Sequence, residues 1–144
     1  MKWLQRWLML VGIIQFSAIA AVFMPKMWMD ACSQIMGVAP LEDTPIAGYL
    51  ARLSSAMYVV HGMLLMCVAR GLPGQLSVVR AFSSSTAALG AMMLWIDIVE
   101  GMPNAWTASE CIALLGSAAV MELLLHRARR EQSAHPSDSP LPPS

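Results

Sequence analysis

The sequence predicts an all-α protein, a transmembrane four-helix bundle of up-down-up-down order with a short interfacial helix in its first outer loop. Three observations predict it. Four apolar stretches, at about residues 3–24, 46–70, 76–99 and 105–126, each have the length a helix needs to cross a bilayer. Chain breakers stand between them: Pro25, Gly37 and Pro40, then Gly71, Pro73 and Gly74, then Gly101 and Pro103. Basic residues collect at alternate ends of successive stretches, the asymmetry that orients membrane helices.

Composition points the same way. Of 144 residues, 57% are apolar and only 12% charged, with mean hydropathy +0.58; soluble domains carry about a quarter charged residues. The formal net charge is zero, so nothing draws the chain electrostatically to nucleic acid or to an acidic substrate. The length suits one domain, read as residues 1–127, followed by a disordered cytoplasmic tail over 128–144 that ends in EQSAHPSDSPLPPS.

The first span follows Lys2 and Arg6. Ala18-Ile19-Ala20 mimics a signal-peptide cleavage site, but the apolar run continues to Met24 before Pro25 stops it, which favours a span. In the loop that follows, Met27, Trp28, Ile35 and Met36 can share one side of a short helix, with Lys26, Asp30, Ser33 and Gln34 elsewhere. Such a segment lies in the headgroup layer. Glu42 and Asp43 then suit the positive end of the next helix dipole.

Arg70, Gly71, Pro73 and Gly74 form a short connection, so the second and third spans are expected to be antiparallel neighbours. Small residues crowd the first half of the third span, where Ser83/Ala87/Ala91 and Thr86/Gly90 offer close packing faces. Thr107 and Glu110 have the spacing of a capping box at the start of the fourth span, beside an interfacial Trp106. Lys2, Arg6, Arg70, Arg80, Arg127, Arg129 and Arg130 all fall on one side, and only Lys26 and Arg52 on the other. The positive-inside rule therefore predicts that both termini are cytoplasmic.

A charge inside a span costs about 2.5–3.5 kcal/mol at the helix centre, so it seeks a partner. Counting residues inwards places Arg52, Asp97 and Glu110 at similar depth, with Tyr49 and Ser55 near, as an outer ion-pair cluster. Arg6, Arg80 and Glu122 match in depth towards the inner face and form the second expected cluster. Both are read first as structural neutralisation, with a proton or anion path as the functional alternative. His61, midway along the second span beside Gly62 and one turn after Tyr58, is the remaining ligand or proton candidate. A lone membrane histidine more often bonds a neighbouring serine or carbonyl than a haem.

Cys32, Cys67 and Cys111 show no metal spacing; Cys67 is read as a packing residue, and Cys32 and Cys111 as free thiols on one side that a disulfide would join only as the lesser alternative. No metal site and no cofactor are expected. No Walker loop, nucleophile elbow, HExxH or dinucleotide fingerprint occurs, so no catalytic residue is assigned and an enzyme is not expected.

MPKMWM (24–29), YLARLSSAMYVVHG (49–62) and DIVEGMP (97–103) with Trp106 resemble segments of a group of small bacterial four-span membrane proteins that brings no activity with it. More distantly, the layout is similar to the DoxX-like four-helix membrane proteins, some of which are tied to quinone-linked sulfur oxidation. The first resemblance implies a bacterial inner-membrane protein, and the second would admit a quinone. The function expected first is an accessory or interaction subunit of a membrane assembly, bound to lipid and to a membrane-protein partner or further copies of itself. The alternative is a redox or small-solute transport protein with a polar pocket open to the outer side.

Overall fold

The computed structural model describes residues 1–39 and 44–134, so Glu42, Asp43 and residues 135–144 lie outside the described residues. The described chain is all-α. Its helices are α1 (Lys2–Phe16), α2 (Ile19–Val22), α3 (Lys26–Ile35), α4 (Pro45–Arg70), α5 (Leu76–Glu100), α6 (Asn104–Cys111) and α7 (Ser117–Ala134), with a π-helical turn over Ile112–Gly116 between the last two.

Four helical stretches are long and apolar enough to cross a membrane: Lys2–Val22, Pro45–Arg70, Leu76–Glu100 and Asn104–Glu131. Only 11–22% of each apolar window is buried inside the chain. Trp3, Phe23 and Ile112 are more than two-thirds exposed. A surface of that kind fits lipid rather than water as its solvent.

Local chemistry explains the ends. The first span bends at Ser17, whose hydroxyl donates to the Ile14 carbonyl at 2.6 Å while the Ala18 N–H turns to Gln15 O at 3.1 Å. That local competition for carbonyls separates α1 from α2. Thr44 caps α4 by accepting from the Ala47 N–H at 3.3 Å, ahead of Pro45 in the first turn. Gly101 ends α5 in the left-handed conformation at φ 68°, and the Met102 N–H closes onto Asp97 O at 2.9 Å. The capping box expected at Thr107 and Glu110 is not formed. Pro103 immediately precedes the first helical residue, Asn104, which leaves Thr107 inside the helix.

α1 packs against α4, and α5 against α7, with α1 also touching α7. Gly12 meets Gly62 and Met66, whereas Met24 meets Arg52, so residue numbers rise along α1 as they fall along α4. Ser83 donates to the Ala118 carbonyl at 3.1 Å and Gly90 faces Leu114 and Leu115, which runs α5 opposite to α7 in the same way. Ser83, Thr86 and Gly90 form the buried stripe of α5, while Ala91, expected on a packing face, is exposed.

The apolar core occupies one end of the bundle. Leu4 and Leu8 of α1, Leu65 and Val68 of α4, Val79 of α5 and Met121, Leu125 and Ala128 of α7 are buried together. Ala128 thus lies in the core, and α7 is helical to Ala134; the rest of the segment read as a tail, residues 135–144, lies outside the described residues. Cys67 is exposed and does not serve as a packing residue; it sits on the face of α4 turned away from the buried Leu65, Val68 and Ala69. All three thiols are free.

Candidate functional site

The closest helix crossing sets up the middle of the bundle. A Cβ added to Gly62 would stand 2.6 Å from the Gly12 carbonyl and 2.7 Å from the Phe16 nitrogen. Only glycine allows that approach of two backbones. It brings Gln15 against His61, whose Nδ1–H donates to Gln15 Oε1 at 2.6 Å. The imidazole also lies against Phe82 of α5, with ring centroids 5.2 Å apart. The expected serine or carbonyl partner on the third span is thus replaced by an amide on the first. With Nδ1 as donor, Nε2 is left as an acceptor.

Two cavities meet beside this pair. One, of about 270 Å³, opens between α4 and α5 and is lined by Gln15, Met57, Tyr58, His61, Thr86 and Leu89, among others. The second, of about 590 Å³, opens between α1, α4 and the π-helical turn, where Trp7, Gln15, Tyr58, Glu110, Gly116 and Ser117 contribute. Gln15, Tyr58 and Leu114 belong to both walls, so the two spaces adjoin. The π-helical turn shapes the larger one. A Cβ at Gly116 would touch nothing within 4 Å. Single π turns widen a helix locally and often mark functional sites.

Asp97 and Glu110 come together at the far end of this space. Their carboxyl groups are close neighbours, and the Trp106 side chain adjoins Glu110. Asp97 is only 4% exposed, and its Oδ2, Glu110 Oε2 and Trp7 Nε1 are buried without a partner. Each orphaned atom costs about 1–3 kcal/mol.

The expected outer ion-pair cluster is therefore corrected. Arg52 does not reach the acids: its guanidinium donates to Gly48 O at 3.3 Å and Met24 O at 3.4 Å. It faces the carbonyl end of the first span, where a cation is favoured by the helix dipole. Tyr49 is 61% exposed and lines neither cavity. Tyr58 takes its place, lining both cavities and sharing the wall of the larger one with Glu110.

The inner cluster does not assemble either. Arg6, Arg80 and Glu122 are exposed, and among the described residues no ion pair joins them. Arg6 instead lies over the Trp3 ring at 5.5 Å. The ion pair at that end is between the Met1 amino group and Glu131, at 2.7 Å. Among the described residues no group of three His, Cys, Asp or Glu side chains converges as a metal site would require.

Sequence reasoning passed over Trp7 and Gln15. Gln15 was detectable as the lone amide in the first span, between Ile14 and Phe16. The π turn leaves no comparable mark. A scan of protein-family models finds no match to this chain, and searches of curated proteins and of solved structures find none either.

Proposed function

We propose that this chain is a multi-pass membrane protein that binds a small amphipathic molecule within its bundle, for transport or redox exchange. The observation that carries the reading is the pair of adjoining cavities at Gln15 and Tyr58, apolar along their walls and polar at His61 and Glu110. Their combined size and few convergent polar groups are those of a ligand site. In this reading the four spans run up-down-up-down with both ends in the cytoplasm, and the acid-lined end opens outwards. The resemblance to bacterial four-span proteins supports an inner-membrane location. The looser DoxX-like layout supports a quinone as the redox form of the ligand.

The accessory-subunit reading keeps the absence of a catalytic constellation as its motive, and part of its other motive, the small-residue packing faces, is taken up inside the bundle. The small residues Ser83, Thr86 and Gly90, which would have offered a partner a packing face, are buried within the chain itself. A purification in mild detergent that retains neighbouring subunits is the result that would favour it.

A cavity-filling variant tests the ligand site. Gly116→Leu projects into open space, so the bundle should keep its thermal stability while the larger cavity closes. Native mass spectrometry of the wild type should show a retained amphipathic molecule that this variant lacks. A wild type that emerges empty, and that no lipid, quinone or lipophilic amine of a test panel stabilises, refutes the proposal.

A further inference from the structure

The end of the bundle that carries the apolar core also carries a concentrated positive charge, which outnumbers Glu122 and Glu131 there and which no salt bridge of a Lys or Arg offsets among the described residues. Seven of the nine Lys and Arg residues lie there: all but Lys26 and Arg52. Their placement follows from the packing. Lys2 and Arg6 flank buried Leu4, Arg70 follows buried Ala69, Arg80 follows buried Val79, and Arg127 and Arg129 flank buried Ala128. Those buried residues form one cluster, on which Met1, Leu72 and Leu76 also pack. The start of α1, the α4–α5 turn and the last turns of α7 are thereby held side by side.

All of these basic residues except the half-exposed Arg129 are exposed. Among the described residues none of them forms a salt bridge, and the nearby Glu131 is taken by the Met1 amino group. Arg6 lies over Trp3, which is 71% exposed, an aromatic–cation pairing suited to the headgroup depth. At the opposite end the two remaining cations are engaged, Lys26 with Asp30 at 2.9 Å and Arg52 with carbonyls. The extension of α7 to Ala134 carries Arg127 and Arg130 on a helix continuous with the fourth span.

We propose that this basic end is a docking surface for anionic phospholipid headgroups, held by α7 and the α4–α5 turn at the boundary of the bilayer. Clustered basic residues immediately beyond a span bind acidic lipids through charge, and the attraction falls off within a Debye length. Here the cluster is assembled from three separate parts of the chain, so lipid binding should also tie those parts together. Each arginine contributes about a fivefold factor in lipid association, on the order of 1 kcal/mol.

The test is thermal unfolding of the full chain in detergent supplemented with phosphatidylglycerol or with phosphatidylcholine. Phosphatidylglycerol should raise the midpoint by several degrees, and added salt should remove the rise; phosphatidylcholine should leave it unchanged. A triple variant, Arg127→Gln, Arg129→Gln and Arg130→Gln, should bind phosphatidylglycerol about a hundredfold more weakly. Its midpoint in phosphatidylcholine should match the wild type, which shows that it folds. Lys26→Gln, at the other end, should keep the response. Equal stabilisation by both lipids, an undiminished response in the triple variant, or the same rise with inorganic phosphate alone would each overturn the proposal.

Discussion

Replacing Gly62 by alanine should loosen the bundle at its tightest point. The added Cβ would sit 2.6 Å from the Gly12 carbonyl and 2.7 Å from the Phe16 nitrogen, and both obstacles are backbone that no rotamer change removes. To reach the 3.4 Å at which ordinary contact begins, α1 must retreat from α4 by about 0.8 Å. A gap of that size forfeits a quarter to a half of the dispersion energy at each contact it opens. Overpacking of this kind costs about 1–3 kcal/mol, and the better helix propensity of alanine returns up to ~1 kcal/mol. The net expectation is a loss of about 1–2 kcal/mol, together with a longer His61–Gln15 bond, which now spans 2.6 Å. Reversible unfolding by denaturing detergent, monitored by circular dichroism, measures it. Gly116→Ala is the control, since its Cβ meets nothing within 4 Å. Equal stability of Gly62→Ala and wild type, or an equal loss in Gly116→Ala, would refute the reasoning.

Ser83→Ala removes a buried hydroxyl bond to the Ala118 carbonyl and should cost about 0.6 kcal/mol in the same unfolding assay. Gln15→Leu leaves His61 Nδ1 without its partner in a half-buried site and should cost about 1–3 kcal/mol. Arg52→Gln should cost less than about 1 kcal/mol, because the side chain is exposed and bonds only to carbonyls. Combined with Glu110→Gln it should be additive within about 0.5 kcal/mol, whereas a direct ion pair would show larger coupling.

The four spans were legible because hydropathy and length alone define them, and Gly71, Pro73, Gly101 and Pro103 mark where they stop. Which side chains meet was much less so. Counting residues gives depth at about 1.5 Å per residue, but each residue also turns the helix by about 100°, and depth says nothing of that angle. Arg52 and Asp97 were matched by depth, yet Arg52 looks towards Met24 while Asp97 is buried near Glu110. In a water-soluble bundle the apolar stripe would supply the missing angle. Here Phe23, Trp95 and Ile98 face outwards as readily as Leu4 and Leu65 face inwards, so that signal is absent. His61 was found because a histidine is conspicuous among apolar neighbours, whereas its partner needed the Gly12–Gly62 crossing to be known.

The Ile112–Gly116 segment acts as a phase adjuster for the last span. Its surplus residue re-clocks everything before it by about a hundred degrees relative to everything after it. Glu110 and Leu125 would fall within about 60° of one another on a regular spiral as well, so what the turn changes is the width of the helix between them, where Gly116 and Ser117 border the larger cavity. Deleting Ala113 would restore uninterrupted winding, keep the lower half seated on Leu4 and Leu8, and leave Glu110 on the inner face, about 40° round from Leu125. The surplus residue thus sets the room beside the larger cavity rather than the side on which Glu110 lies.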